Sequence, residues 1–457
     1  MDAAQRSTLL HFTRNGAYGP GGSELLVLER GEGPYVFDTA GRRYVDGLSS
    51  LFCAQIGYSY GAEMAAVARE QLERLAFNTL WATAHPRALE LGERLADLAP
   101  EGFGKVFFTS GGSESVEAAW KIVRQFHAAN GEPQRRKAIA RNIAYHGVTL
   151  GALALTGVER FKDPFGPPAI ETRHVSNTNA FRSDLAGPAL TKALLEELEQ
   201  AVVAERPETV AMIIAEPVQN AGGCLVPPPG YWAGLREIAD RYGILLVADE
   251  VITGCGRLGE WFGVTRYGAT PDLITIAKGL TSAYAPMGAV LVADRVAQPL
   301  YEDKRTLLHG ITFAGHPVCA AIALKNIEIF ERDGVLENVR AREASLAERL
   351  ESLRELPIVG DVRGEGFFWA VELVKDEQGG PFDADERERL LRGFMPGRLL
   401  EAGLIARADD RGDSVLQIAP PLISTDAVLD EIVEAMRAVL QDAGRLIGVE
   451  RAIATSR

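Results

Sequence analysis

Gly243-Ile-Leu-Leu-Val-Ala-Asp-Glu-Val-Ile-Thr-Gly-Cys-Gly-Arg-Leu-Gly259 joins an apolar run to a formal G-x-G-x-x-G at Gly254, Gly256 and Gly259. A dinucleotide site needs a strand, an immediate glycine turn, a helix opening on the pyrophosphate and an acid about 20 residues further on. Only the strand is present. Ile244 to Ala248 has the continuous apolar character of a buried strand, but Glu250 to Cys255 intervene before the second glycine. The chain after Gly259 is broken by glycines and ends at Pro271, so no phosphate-binding helix starts there. An NAD-dependent dehydrogenase is therefore disfavoured, the glycines are expected to shape a tight loop, and the chemistry of the stretch falls to Asp249.

Outward from this strand, similar apolar runs occur at Lys105–Thr109, Lys137–Arg141, Val210–Ala215, Leu273–Ala277 and Gly288–Val292, separated by amphipathic helical patterns. Such alternation predicts an α/β fold with a largely parallel sheet covered by helices, and such sheets bind ligands at the carboxyl ends of their strands. Shorter strand-like pieces precede it at Leu25–Glu29, Tyr35–Asp38 and Tyr44–Asp46. Beyond about residue 325 the pattern changes to helices near Asn338–Leu353, Asp385–Glu401 and Asp426–Gln441, with a strand-like Val359–Val371. We expect residues 66–322 to form a large domain, with 1–65 and 323–457 together forming a smaller α+β domain.

The 457 residues exceed the range in which one core keeps growing, and 47% apolar with 24% charged residues describes a folded chain rather than a disordered one. A formal net charge of −14 argues against nucleic acid or an anionic membrane as partner, since both reward basic patches. Cys53, Cys224, Cys255 and Cys319 have neither disulfide nor zinc spacing, and the histidines lack ligand spacing. With no apolar leader or membrane-length run, a cytoplasmic location is expected.

Four candidate groups follow strands. In Thr109-Ser-Gly-Gly-Ser-Glu, a glycine turn opens a helix whose free amides, at Gly112 and Ser113, form an anion cradle; Ser113 as a simple helix N-cap is the alternative. Asp249 ends a buried strand, where a carboxylate requires a cationic or hydrogen-bonding partner such as a protonated heterocyclic nitrogen; a loop-capping aspartate is the alternative. Lys278 follows an apolar strand, where desolvation favours the neutral amine that carbonyl chemistry needs; it could equally reach solvent. Tyr145 could stack on a planar cofactor or pack at a rim. A phosphate cradle, a stacking ring, an acid and a lysine are the parts a pyridoxal phosphate site requires.

Ser110-Gly-Gly-Ser-Glu, Tyr145-His-Gly, Glu216-Pro-Val-Gln, Asp249-Glu-Val-Ile-Thr-Gly-Cys-Gly-Arg, Ala277-Lys-Gly and Thr312-Phe-Ala-Gly-His-Pro, in this order, resemble the class III pyridoxal-phosphate aminotransferases from about residue 30 to 440. The resemblance implies a fold type I homodimer, or a tetramer, with a mostly parallel seven-stranded sheet. It implies Lys278 as the lysine that bonds the cofactor and moves the proton, and Asp249 as the partner of the pyridine nitrogen. Val251 and Tyr145 would flank the ring, Gly112 and Ser113 would hold the phosphate with Thr312 of the neighbouring subunit, and His146 and Glu216 would complete the cofactor contacts.

Members using 2-oxoglutarate commonly carry arginine after Tyr-His-Gly, whereas this chain has Val148. That departure points to pyruvate, and to an omega-aminotransferase working on a primary amine or omega-amino acid by ping-pong exchange; a 2-oxoglutarate aminotransferase or an aminomutase are the alternatives. Arg407 matches the family's mobile arginine, with Arg411 as rival in a loop that also holds Asp409 and Asp410, and Glu216 as a candidate partner for the arginine. Phe52 stands where the family often has a pocket tryptophan. Trp81 is a second candidate wall, or a buried core tryptophan.

Overall fold

The computed structural model describes residues 7–18, 24–302, 305–376 and 378–449. The start of the first expected domain segment, 1–6, and the end of the third, 450–457, lie outside the described residues.

The chain begins with an antiparallel ribbon, β1 (Leu28–Glu32), β2 (Tyr35–Asp38) and β3 (Arg43–Asp46). The first strand therefore starts three residues later than its apolar run suggested, because its pairing is set by β2 rather than by hydrophobicity. The main sheet follows: β4 (Lys105–Thr109), β5 (Lys137–Arg141), β6 (Glu171–Val175), β7 (Val210–Ala215), β8 (Leu245–Asp249), β9 (Leu273–Ile276) and β10 (Gly288–Val292). Their spatial order is β4-β10-β9-β8-β7-β5-β6, with β10 antiparallel to both neighbours and every other adjacent pair parallel.

Every residue of β7, β8, β9 and β10 is buried. Since successive side chains point to opposite faces, the sheet must be covered on both, which is why these strands read as unbroken apolar runs. Helix α1 (Gly112–Ala129) packs across β4 and β7 to β10 through Val116, Ala119 and Val123, which recur at helical spacing. Helix α2 (Tyr231–Tyr242) packs on β7 and β8. The edge strand β6, Glu-Thr-Arg-His-Val, has no apolar face and pairs only with β5, so sequence patterning misses it.

A second sheet, β11 (Val359–Glu365), β12 (Phe368–Leu373), β14 (Arg407–Asp409) and β15 (Val415–Ile418), runs in the order β11-β12-β15-β14, while β13 (Leu404–Ile405) joins β3 in parallel. What read as one strand over Val359–Val371 is thus a hairpin, turned at Gly366, whose φ of 55° favours glycine. The expected helix near Asp385–Glu401 is interrupted by a π-helical segment, Glu388–Phe394, ahead of Pro396.

One apolar cluster is built on the main sheet, and a second gathers Val45, Ile56 and Met64 with residues from 322 to 443. A third, smaller cluster joins Leu48 and Phe52 to Val218, Ile252, Phe368 and Val415, drawing on segments from both ends and the middle of the chain. Among the described residues, no helix is long and apolar enough to cross a membrane.

Candidate active site

Because β4 to β9 run parallel within the sheet, the residues that follow them emerge along one edge. Ten of these residues line a single cavity of ≈ 150 Å³: Gly112 and Ser113 after β4, Tyr145 to Gly147 after β5, Glu216 after β7, Asp249, Val251 and Ile252 at the end of β8, and Lys278 after β9.

Asp249 is only 4% exposed, and both of its oxygens are engaged. Oδ1 accepts the Thr275 hydroxyl at 3.0 Å and the Val251 N–H at 3.2 Å, and Oδ2 lies 2.7 Å from His146 Nδ1. Thr275 comes from the adjacent strand β9, where it pairs directly with Asp249 in the sheet. The carboxylate is therefore fixed by a strand neighbour, its own turn and a histidine from the β5 loop. His146 Nε2 is buried without a hydrogen-bond partner among the described residues.

Lys278 opens a short 3-10 turn and holds φ at 38°, a left-handed conformation that costs a non-glycine residue on the order of 1–3 kcal/mol. The turn is clamped by Asn326 Nδ2, which donates to the carbonyls of Gly279 at 3.0 Å and Leu280 at 3.1 Å. Gly279 is closely packed, since a Cβ would meet Cys255 Cβ at 2.8 Å as well as Gln55 Nε2 at 2.7 Å. The Nζ lies 5.6 Å from the centroid of the Phe52 ring. Burial lowers the Lys278 pKa, partly opposed by Cys53, Asp249 and Glu216 and reinforced by Arg407, so the neutral amine is easier to reach.

Helix α1 begins at Gly112 with Gly111 as its N-cap and no side-chain cap. Ser113 therefore sits inside the first turn, so it is not the N-cap that sequence reading allowed. Its hydroxyl accepts the Val148 N–H at 3.2 Å instead. A Cβ on Gly112 would meet Val251 at 2.8 Å, which is why glycine occupies the floor of the cavity. The 18-residue helix directs its unpaired amides and positive end at this space.

Glu216 is buried, and burial raises its pKa. Its oxygens accept the N–H groups of Tyr145 at 3.2 Å and Asn220 at 3.0 Å. Glu216 and Arg407, read as candidate partners, share no hydrogen bond or ion pair among the described residues, and backbone donors hold the Glu216 carboxylate instead. The neighbour of Arg407 is Asp409, with Nε 3.7 Å from Oδ2. The rival Arg411 is bound to that same Asp409 through Nε at 2.7 Å and a terminal nitrogen at 2.5 Å, and its guanidinium lies 5.7 Å from the Tyr145 ring centroid. Neither arginine is a freely solvated side chain, their side chains being 27% and 4% exposed. Burial and the Arg411 charge push Arg407 down to about 10.

Phe52 is buried edge-on against Phe368. Trp81 and Thr312 do not line the cavity. Trp81 is 62% exposed, not the buried core tryptophan that composition favours, and Thr312 is exposed beside Phe313. Sequence reading missed Thr275 as a donor to Asp249, and named Asp409 only as a charge of its loop, not as the partner of Arg411. It also missed Glu250, fully buried next to Asp249, which accepts the Thr253 hydroxyl at 2.5 Å and the N–H groups of Gly263 at 2.9 Å and Val264 at 2.7 Å. Two adjacent acids at the end of a buried strand were the available signal, since both require partners.

These residues suit a flat, phosphorylated, electron-poor aldehyde. The uncapped amides of Gly112 and Ser113 match a phosphate, the oriented carboxylate of Asp249 matches a protonated ring nitrogen, and Lys278 supplies the amine. The family model for class-III aminotransferases matches residues 18–440. The chain is 48% identical over 443 residues to a probable aminotransferase of Mycobacterium tuberculosis, spanning 96% of this chain and 94% of that protein. It is 38% identical to a putrescine–pyruvate aminotransferase of Pseudomonas aeruginosa, spanning 91% and 90%. Among solved structures it resembles an (S)-enantioselective omega-transaminase from Thermomicrobium roseum, at 39% identity with a TM-score of 0.92 over 97% and 98% of the two chains. The omega-transaminase of Pseudomonas jessenii in complex with PMP is similar at 35% identity, a TM-score of 0.92 and 98% coverage of each chain.

Proposed function

The chain belongs to the class III aminotransferases, pyridoxal-phosphate enzymes of fold type I acting on amines and 2-oxo acids, and from that premise we propose an omega-aminotransferase that delivers amino groups to pyruvate by ping-pong exchange. The observation that carries this reading is the convergence of Lys278, Asp249 and the open end of helix α1 on one cavity, with Arg407, a loosely held cation, acting on Lys278 from nearby.

When bound, the cofactor supplies an aldehyde that condenses with amines and a ring that accepts the electrons of a breaking C–H bond. In our reading, the amides of Gly112 and Ser113 bind its phosphate, and Tyr145 and Val251 confine the ring. Asp249, held by His146 and Thr275, keeps the ring nitrogen protonated and so stabilises charge that develops mainly in the transition state. Lys278 Nζ takes the proton from the substrate carbon and returns it, a role favoured by its lowered pKa. Glu216 holds the backbone of Tyr145, and Phe52 forms a wall beside Lys278.

Val148 after Tyr145-His-Gly leaves no cation at that position for a distal carboxylate, which supports a one-carboxylate acceptor. The name of the Pseudomonas aeruginosa relative pairs putrescine, a diamine without a carboxylate, with pyruvate, which supports the same choice. We assign the acceptor carboxylate to Arg407. Replacing Arg407 by Ala is expected to lower kcat/KM for pyruvate by at least about tenfold, with little effect on an uncharged aldehyde acceptor. Equal losses for both acceptors would overturn the assignment. A second reading, with 2-oxoglutarate as acceptor, would need Arg411, which lies beside the cavity, to be released from Asp409.

Self-association as a homodimer is supported by a surface patch. The rings of Phe77 and Phe313 meet at a tilt with centroids 5.7 Å apart, a Cβ on Gly310 would meet the Trp81 indole at 3.0 Å, and Leu308, Trp81 and Phe313 are 81%, 62% and 64% exposed. In this reading Thr312 and Trp81 serve the neighbouring subunit's site. A cytoplasmic location is supported by the four unpaired thiols, Cys53, Cys224, Cys255 and Cys319. The division into 1–65, 66–322 and 323–457 is supported by the second apolar cluster, which draws on both ends of the chain.

A further inference from the structure

The geometry points to Asp409 as the residue that restricts this site to acceptors with one carboxylate, by neutralising Arg411 and leaving Arg407 as the single uncompensated cation. This rests on the reading of Arg407 and pyruvate above. Arg407 and Asp409 are two apart in strand β14, opposite Gln417 and Val415 of β15, so their side chains leave the same face. Arg411 then folds back, and its backbone N–H, Nε and terminal nitrogen all reach the Asp409 carboxylate, at 3.1, 2.7 and 2.5 Å. The pair is almost wholly buried, at 4% exposure for each side chain.

A buried guanidinium and carboxylate in this geometry form a closed, neutral unit. Arg407 approaches the same carboxylate only at 3.7 Å, beyond hydrogen-bond range, because the Asp409 oxygens already have donors. Two cations and one anion thus leave one charge for a ligand. The neighbouring acid, Asp410, is held by Arg160 at 2.6 Å and Arg392 at 2.8 Å and acts on Arg407 more weakly than Asp409 does. Arg411 is close enough to the cavity to matter, lying over the ring of Tyr145. Without Asp409 the site would present two free guanidinium groups, suited to a dicarboxylate such as 2-oxoglutarate.

The test uses the cofactor-loaded enzyme and three variants. In Asp409→Asn, the ratio of kcat/KM for 2-oxoglutarate over pyruvate should rise at least about tenfold, and calorimetry should show glutarate binding strengthened far more than propanoate binding. In Arg411→Gln, the released carboxylate should capture Arg407, so KM for pyruvate should rise about tenfold while an uncharged aldehyde acceptor is unaffected. Asp410→Asn should leave both ratios at the wild-type value. An unchanged acceptor ratio in Asp409→Asn overturns the inference. If that variant does not fold, an unchanged pyruvate KM in Arg411→Gln overturns it. A wild-type preference for 2-oxoglutarate would defeat the pyruvate reading instead, whereas the inference is judged on the change that each substitution produces.

Discussion

Asp249 touches three protein donors, from Thr275, Val251 and His146, and each holds the carboxylate in one orientation. An oriented anion in a buried site stabilises developing charge without reorganisation, so its removal should affect turnover above all. Asp249→Asn is expected to lower kcat by at least about a hundredfold, with a much smaller change in cofactor affinity measured by equilibrium dialysis. Parallel losses in both would show that the residue only binds cofactor. At this scale the sequence was informative wherever a polar residue follows an apolar strand, as at Asp249 and Lys278. It was silent on Thr275, which looks like an ordinary strand threonine until β8 and β9 are paired in register. Asp409 was hidden for a similar reason. Its importance lies in Arg411 folding back onto it, which spacing alone does not reveal.

The loop that follows β8 carries a second buried acid. Glu250 accepts three protein hydrogen bonds, yet burial still pushes its pKa up to about 7 from 4.5. Between these values the folded chain holds a proton that the unfolded chain has released, so this group's contribution to stability falls as pH rises. The effect amounts to roughly 3 kcal/mol across the window. Glu250→Gln lacks this ionisation, and urea titrations at pH 5 and pH 8 should find the wild-type advantage over the variant shrinking by that order at the higher pH. An advantage independent of pH would contradict the buried-acid account. Among elements, β7 to β10 were legible because burial on both faces leaves a continuous apolar run. Edge strand β6 was not, since it contributes backbone pairing without an apolar face. The π-helical segment Glu388–Phe394 was also illegible, because helical periodicity does not distinguish one added residue per turn.

Across the whole molecule, the exposed segment holding Thr312 and the cavity holding Lys278 are separate in one chain, which frames a test of the proposed dimer. If Thr312 of each subunit completes the other's site, two inactive variants should complement one another. Lys278→Ala and Thr312→Glu, mixed under conditions that exchange subunits, should recover about a quarter of wild-type activity. Half of the dimers would then be mixed, and each would contain one intact site. Recovery of nothing would place Thr312 in its own chain's function or outside the site. At this scale the sequence signal was the change of pattern near residue 325, and the second apolar cluster draws on residues from both ends of the chain. The sequence did not disclose which exposed faces meet a second copy, because that depends on surface geometry.

The function proposed for this chain is amino-group transfer from an amine to pyruvate at a site where Lys278 and Asp249 would hold the cofactor. The most direct measurement is a half-reaction on purified, cofactor-loaded enzyme, in which the visible absorbance of the bound cofactor is followed as a primary amine and then a single 2-oxo acid are added. Bleaching by the amine and full recovery with pyruvate, but not with 2-oxoglutarate, is the predicted result. Recovery with 2-oxoglutarate alone, or no bleaching with any primary amine or omega-amino acid, would contradict it.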